Sequence, residues 1–156
     1  MARTAMILVT VALLGAACGN SSSSSGAGAQ PCSTSGKTHV YVEVVNAGKV
    51  IASGCAATNA TSLDALTVMS HSGVQYSTQK FSFGTAICQV DRIPAHYSKC
   101  LPTDQPYWAD WIWKDGSWSM AQTGPEQIAL SNKEALGWVY TPQTGSPAPP
   151  PPPPTF

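Results

Sequence analysis

The chain has 156 residues, equal numbers of acidic and basic side chains, and only 10% charged residues. Cleavage of the N-terminus would remove Arg3 and leave a nearly neutral mature chain. The remaining basic residues form no stripe, so we do not expect nucleic acid as a partner. Both ends of the chain are low in complexity, and the remainder is long enough for one small domain.

The N-terminus has the features of a bacterial lipoprotein signal. Arg3 is followed by an apolar stretch, residues 5–14, that is too short to span a bilayer, and Leu13-Leu14-Gly15-Ala16-Ala17-Cys18 has the form of a lipobox. We therefore predict a signal peptide over residues 1–17 and lipidation of Cys18. The acyl chains would hold the protein on the extracytoplasmic face of a bacterial membrane. An ordinary cleaved secretory signal is the alternative.

Segments of biased composition border the predicted domain. Residues 18–36 are a Ser/Gly-rich tether, residues 37–142 form the folded domain, and residues 143–156 are a Pro-rich disordered tail. We expect the prolines of the tail to be extended and solvated and to act as a spacer. The alternative is a ligand for an aromatic-lined groove.

The other four cysteines form an even set, which in an exported protein predicts two disulfides. They are Cys32, Cys55, Cys88 and Cys100. Three pairings are possible. We favour Cys88–Cys100, which would close a loop, with Cys32–Cys55, which would tie the start of the domain to its first hairpin. No metal site is expected, because the set has no C-x-x-C pair and no histidine at ligand spacing beside a cysteine.

The hydrophobic pattern predicts one helix over a mostly antiparallel sheet, which is an α+β architecture. Val40, Val42 and Val44 alternate with more polar residues and should face the core. The expected elements are strands at residues 39–45 and 50–53, a helix from the capping pattern at 61–64 to near Gly73, one or two short strands within 74–83, and strands at 86–90, 107–113, 117–122 and 135–140.

Aromatic residues are concentrated in the segment YWADWIWKDGSW, which contains four of the five tryptophans. On a strand, Trp111 and Trp113 share one face and Trp108 shares the other with Asp110, so the rings cannot all enter one core. Packing is the favoured role for these rings. The alternative is an exposed platform for a ring-bearing ligand, a sugar or a partner strand. The candidate binding surface comprises Tyr107, Trp108, Trp111, Trp113 and Trp118.

Several motifs in order carry a resemblance to a family: VYVEVV, TSLDAL, ICQVDRIPAHYSKC, YWADWIWKDGSWSMAQTG and EALGWVY. Over residues 38–140 the chain resembles bacterial surface domains of the DUF4430 type, which are similar to the C-terminal domain of the vitamin B12 carriers transcobalamin and intrinsic factor. Asp110 stands where the family usually has an aromatic residue. The matching family positions are Trp108, Trp111, Gly116, Trp118, Gly137 and Trp138.

The resemblance implies a small β-grasp-like domain, a sheet wrapped around one helix. It also implies capture of a small, corrinoid-like ligand. The vertebrate carriers bind cobalamin between this domain and a helical barrel that the present sequence does not contain. A ligand would therefore be held by this domain alone or together with another protein.

No local signature of catalysis groups the Ser, His and Asp residues, so we expect a protein that is not an enzyme and has no cofactor. The pairs Asp110/Asp115 and Asp91/Asp104 are interpreted as solvated loop carboxylates rather than a glycosidase dyad. The expected function is a monomeric, membrane-anchored lipoprotein whose small binding domain captures a small ligand. The alternative is an adhesive or assembly module that binds a protein partner or a cell-wall polymer.

Overall fold

The computed structural model describes Cys32, residues 35–143 and residues 150–155. The predicted signal peptide, Cys18 and most of the predicted tether lie outside these residues. Within the described ranges, no helix has the length and apolar character needed to cross a bilayer.

Strands dominate the described part of the chain, and one short helix accompanies them. In chain order the elements are β1 (Thr38–Asn46), β2 (Lys49–Thr58), β3 (Ser62–Asp64), α1 (Ala65–His71), β4 (Tyr76–Phe81), β5 (Gly84–Val90), β6 (Tyr107–Lys114), β7 (Ser117–Met120), a 3₁₀ turn (Pro125–Gln127), β8 (Ala129–Ser131) and β9 (Ala135–Thr141).

The main sheet has five strands in the order β2-β1-β9-β6-β7. The central neighbours β1 and β9 run parallel, whereas the other pairs are antiparallel. Two further ladders, β3 with β8 and β4 with β5, have two strands each. The predicted α+β class and the mostly antiparallel sheet are therefore confirmed.

The core lies between α1 and one face of the main sheet. Val40, Val42 and Val44 are at most 1% exposed, as the alternating pattern of β1 predicts. Trp138 of β9 is also buried, and its indole Nε1 lies 3.1 Å from the sulfur of Met69 in α1. This contact joins the sheet to the helix.

The helix begins three residues later than the capping pattern predicts. Residues Ser62–Asp64 pair with β8, so strand pairing takes the positions expected to form the first turn. Asp64 is the N-cap: its carboxylate accepts hydrogen bonds from the backbone N–H and the hydroxyl of Thr67, at 3.0 and 2.6 Å. Burial works to raise the pKa of Asp64, but the hydrogen bonds from Thr67 outweigh it and lower the pKa below its usual value.

Both favoured disulfides are present. Cys88 and Cys100 close a loop after β5, with 4.6 Å between their Cα atoms, and Cys32 joins Cys55 across 5.1 Å. The strand that carries Cys55 is longer than predicted, extending to Thr58. Cys32–Cys55 therefore fastens the start of the domain to an edge strand of the main sheet.

We expect Asp64→Ala to lower the free energy of unfolding by about 1 kcal/mol, because the substitution leaves the Thr67 N–H at the start of α1 without its acceptor. Urea denaturation followed by circular dichroism measures this change. Asp104→Ala, at an exposed loop position, serves as the control. Equal midpoints for the two variants would contradict a stabilising role for the cap.

Candidate functional site

The register of the main sheet assigns each aromatic side chain to a face, because residues paired across strands point the same way. Trp108 pairs with Tyr140 and Asp110 pairs with Trp138, so both lie on the α1 side. Trp111 pairs with Gly137 and therefore points to the opposite side. We call this opposite side the outer face; it comprises Glu43 of β1, Gly137 of β9, Trp111 and Trp113 of β6, and Trp118 of β7.

Three tryptophan side chains share the outer face. Trp113 and Trp118 are paired across the β6–β7 hairpin, and their ring centroids lie 5.4 Å apart in an edge-on arrangement. Trp111 lies two residue pairs further along β6, opposite Met120. All three tryptophans are half-buried. The hairpin turn that aligns them contains Asp115 and Gly116, both at positive φ, which an Asp-Gly pair supports in a two-residue turn.

The candidate surface named from the sequence is divided by the structure. Trp108 is 7% exposed, its indole donates to the carbonyl of Ile93 at 2.9 Å, and its ring lies 5.0 Å from that of Tyr140. Tyr107 points to the same side as the outer face, but it lies at the end of β6 away from the β6–β7 turn, where it pairs with Thr141. Only three of the five named residues, Trp111, Trp113 and Trp118, are therefore brought together.

Part of the Pro-rich tail lies on the outer face. Pro151 is buried, and the indole Nε1 of Trp118 donates to the carbonyl of Pro152 at 3.1 Å. A Cβ atom at Gly137 would lie 2.5 Å from Cγ of Pro151, so only glycine leaves room for the proline ring there. The prediction that the prolines are solvated is therefore wrong for Pro151, because an apolar ring gains from contact with this surface.

Two polar atoms on either side of Gly137 have no hydrogen-bond partner among the described residues. The register places Glu43 and Trp111 on the strands that flank Gly137. Glu43 Oε2 and Trp111 Nε1 are both buried, without a hydrogen-bond partner among the described residues. Burial raises the pKa of Glu43 to about 6. The sequence did not predict Glu43 as a site residue, because its position in the strand pattern does not indicate that its side chain is partly buried.

Asp110 is a second carboxylate in a desolvated position. It lies on the α1 side of β6, and burial raises its pKa to about 6. The interpretation of Asp110 as a solvated loop residue is therefore wrong, since the strand carries it into the sheet. Asp115 is exposed in the turn that follows. At about 3.4 Å per residue their backbones are roughly 17 Å apart, too far for a carboxylate dyad.

The cavities of the described residues are small or open. A cavity beside the Cys88–Cys100 bridge, lined in part by Pro94 and Tyr97, holds about 10 Å³, room for about one water molecule. A wide depression of about 440 Å³ is bordered by residues that include Tyr76 and Arg92. Neither is lined by the tryptophans of the outer face. The described ranges also contain no group of three His, Cys, Asp or Glu side chains placed to hold a metal ion.

No known protein family matches the sequence, and no curated protein does. The interpretation of the site therefore depends on the geometry of the outer face.

We expect Asp110→Asn to raise the free energy of unfolding by about 1–3 kcal/mol at pH 7, because the folded chain no longer holds a desolvated charge. Since the pKa of this carboxyl is raised on folding, the wild type loses stability as pH rises from about 4 to about 6. The gain in the variant should therefore vanish below about pH 4. Thermal unfolding across this range measures the effect. Asp115→Asn is the control, and a gain that is independent of pH would contradict the assignment.

Proposed function

We propose that the protein is a non-catalytic binding module, displayed on a bacterial membrane by a lipid on Cys18, and that it contacts its ligand through the outer face. The observation that supports this most directly is that Trp111, Trp113 and Trp118 share the face on which Gly137 leaves a gap, which we call the notch. Half-exposed indoles with free apolar area are enriched where proteins bind partners. The tryptophans of this face are not needed to fill the core on the α1 side.

The same proposal includes the β-grasp identity of the domain and its membership of the DUF4430 type. In its support, the first and last strands of the main sheet, β1 and β9, are parallel central neighbours, and a hairpin extends the sheet on each side. The helix α1 packs across one face of that sheet. This is the arrangement expected of a sheet wrapped around one helix.

The shape of the site favours a protein segment or a cell-wall polymer as the ligand. The half-buried rings of β6 and β7 offer a partly exposed stacking surface. A large ring-bearing ligand needs an enclosing pocket, and neither the cavity of about 10 Å³ nor the open depression of about 440 Å³ is lined by these tryptophans. An adhesive or assembly role is therefore the function that the geometry supports best.

Capture of a small cyclic ligand is the second candidate. Trp111 Nε1 is a buried donor and Glu43 Oε2 a buried acceptor, and the register sets them on either side of Gly137. With Pro151 displaced from the gap at Gly137, a small ligand with one donor and one acceptor could pair with both groups. Leaving each of them buried without a partner costs free energy.

Cys18→Ser should release the full chain from the membrane fraction of a bacterium that processes lipoproteins, because the thiol that receives the diacylglyceryl group is lost. Fractionation and incorporation of labelled palmitate measure the two consequences. Ser22→Ala, four residues further on, is the control. Retention of the label in the Cys18→Ser chain would contradict anchoring at this residue.

Trp113→Ala should abolish ligand-dependent changes in tryptophan fluorescence, since it removes a ring from the outer face. The full chain is titrated with a panel that contains cobalamin, muropeptides and proline-rich peptides. Phe83→Ala is the matched control, because Phe83 is an exposed aromatic residue, 68% accessible, on the separate β4–β5 hairpin. A panel without any response, or equal responses in both variants, would contradict binding at this face.

A further inference from the structure

We propose that the outer face is a binding site for proline-rich peptides and that the tail of the same chain occupies it, through Pro151 and Pro152, in the absence of a partner. This inference rests on the proposed function and names the class of ligand. The tail contains an unbroken run of prolines from Pro149 to Pro154. The tail thus indicates the class of ligand that we propose for the outer face, a segment rich in proline.

The first support is the fit of Pro151 into the notch. Gly137 is the position at which β9 presents no side chain to the outer face, and the ring of Pro151 fills that gap and is buried there. The ring of Trp118 borders the same gap, since its carbons would lie 3.1 and 3.2 Å from a Cβ at Gly137. A proline ring held beside an indole and a bare stretch of backbone matches the way aromatic-lined grooves hold proline residues.

The second support is the direction of the hydrogen bonding. Prolines have no N–H, so a proline run presents only carbonyl acceptors and is best received by donors. Trp118 Nε1 donates to the carbonyl of Pro152, and Trp111 Nε1 is a second indole donor beside the notch. The prolines are also stiff, which lowers the conformational entropy lost on binding.

The third support explains why the tail can be replaced. Pro151 and its proline neighbours cannot donate to Glu43, so the buried Oε2 of Glu43 has no hydrogen-bond partner among the described residues while the tail is bound. A peptide that combines prolines with an arginine could pair with this carboxylate as well as fill the notch. The tail is therefore an incomplete occupant, and a partner segment with a basic side chain should bind more tightly.

The tail nevertheless competes well, because it is joined to β9 by a short connection. Such a connection gives a tethered ligand an effective concentration in the range of about 1 mM. A free peptide must therefore bind more tightly than the tail, or be present at a higher concentration, to displace it. The tail thus raises the concentration of partner needed for binding, but it does not abolish the site.

The test uses the full chain in wild-type form and with Pro151→Ser and Pro152→Ser, which remove the proline ring from the notch. Three peptides are titrated by fluorescence and calorimetry: residues 147–156, the same peptide with one central proline replaced by arginine, and a Gly/Ser peptide of equal length. We expect the proline peptide to bind the doubly substituted chain about tenfold more tightly than the wild type. The arginine peptide should bind more tightly still, and the Gly/Ser peptide should not bind.

Two further variants, made in the doubly substituted chain, assign the binding to its site. Trp118→Phe keeps an apolar ring but removes the N–H donor, and it should weaken binding of the proline peptide several-fold. Glu43→Gln should remove the advantage of the arginine peptide and leave the binding of the all-proline peptide unchanged. Near-UV circular dichroism of each variant verifies that the tryptophans keep their packing.

The outcomes separate this inference from the proposed function. If neither peptide binds the doubly substituted chain, and acrylamide quenches its tryptophans no more than those of the wild type, the proline-binding site is wrong. Should a muropeptide or cobalamin still give a response that depends on Trp113, the binding module stands and only its ligand class has been misassigned. When no ligand of any class responds, both proposals fail.

Discussion

The constraint on which this structure depends is that β9, the central strand of the main sheet, must be covered on both faces. Leu136 and Trp138 face α1 and the core, whereas Gly137 and Val139 face the other way, and all four are buried. A single seven-residue helix covers only the first side. The second side is covered by the tryptophans of the β6–β7 hairpin and by Pro151. The side chains that cover this face of the sheet are thus the same ones that form the proposed binding surface.

Local patterns in the sequence were sufficient for most strands and for both disulfides. Alternation placed Val40, Val42 and Val44 correctly, and Gly116 marked the hairpin turn, because these features depend on near neighbours in the chain. The parity of β6 also separated Trp108 from Trp111 before any contact was known. The two disulfides, Cys32–Cys55 and Cys88–Cys100, were predictable because each joins cysteines that are close in the sequence.

Features that depend on distant pairing could not be predicted in this way. The parallel contact of β1 with β9 joins residues almost a hundred positions apart, as does the hydrogen bond from the His39 N–H to the side chain of Asn132. Pairing of Ser62–Asp64 with β8 shifted the start of α1 for the same reason. The contact of Pro151 with Gly137 was missed because a proline run has the same composition whether it is solvated or bound.

The two desolvated carboxylates illustrate how much the setting of a residue matters. Asp110 and Glu43 lie on opposite faces of one sheet, and burial raises the pKa of each to about 6. Asp110 faces the core and bears on stability, whereas Glu43 borders the notch of the proposed binding surface. The charge of Asp110 therefore affects stability and that of Glu43 affects the proposed binding, although burial raises the two pKa values to a similar extent.

The Cys32–Cys55 bridge also has a mechanical consequence. Tension applied through the N-terminal chain reaches the sheet at two linked points of one hairpin, because the covalent bond joins Cys32 to β2 while the backbone continues into β1. The segment between the two cysteines cannot lengthen under such a pull. The load enters on the β2 side of β9, and the tryptophans of β6 and β7 lie on the other side. Tension from the N-terminal chain would therefore enter the sheet on the side of β9 away from the tryptophans of the proposed binding surface.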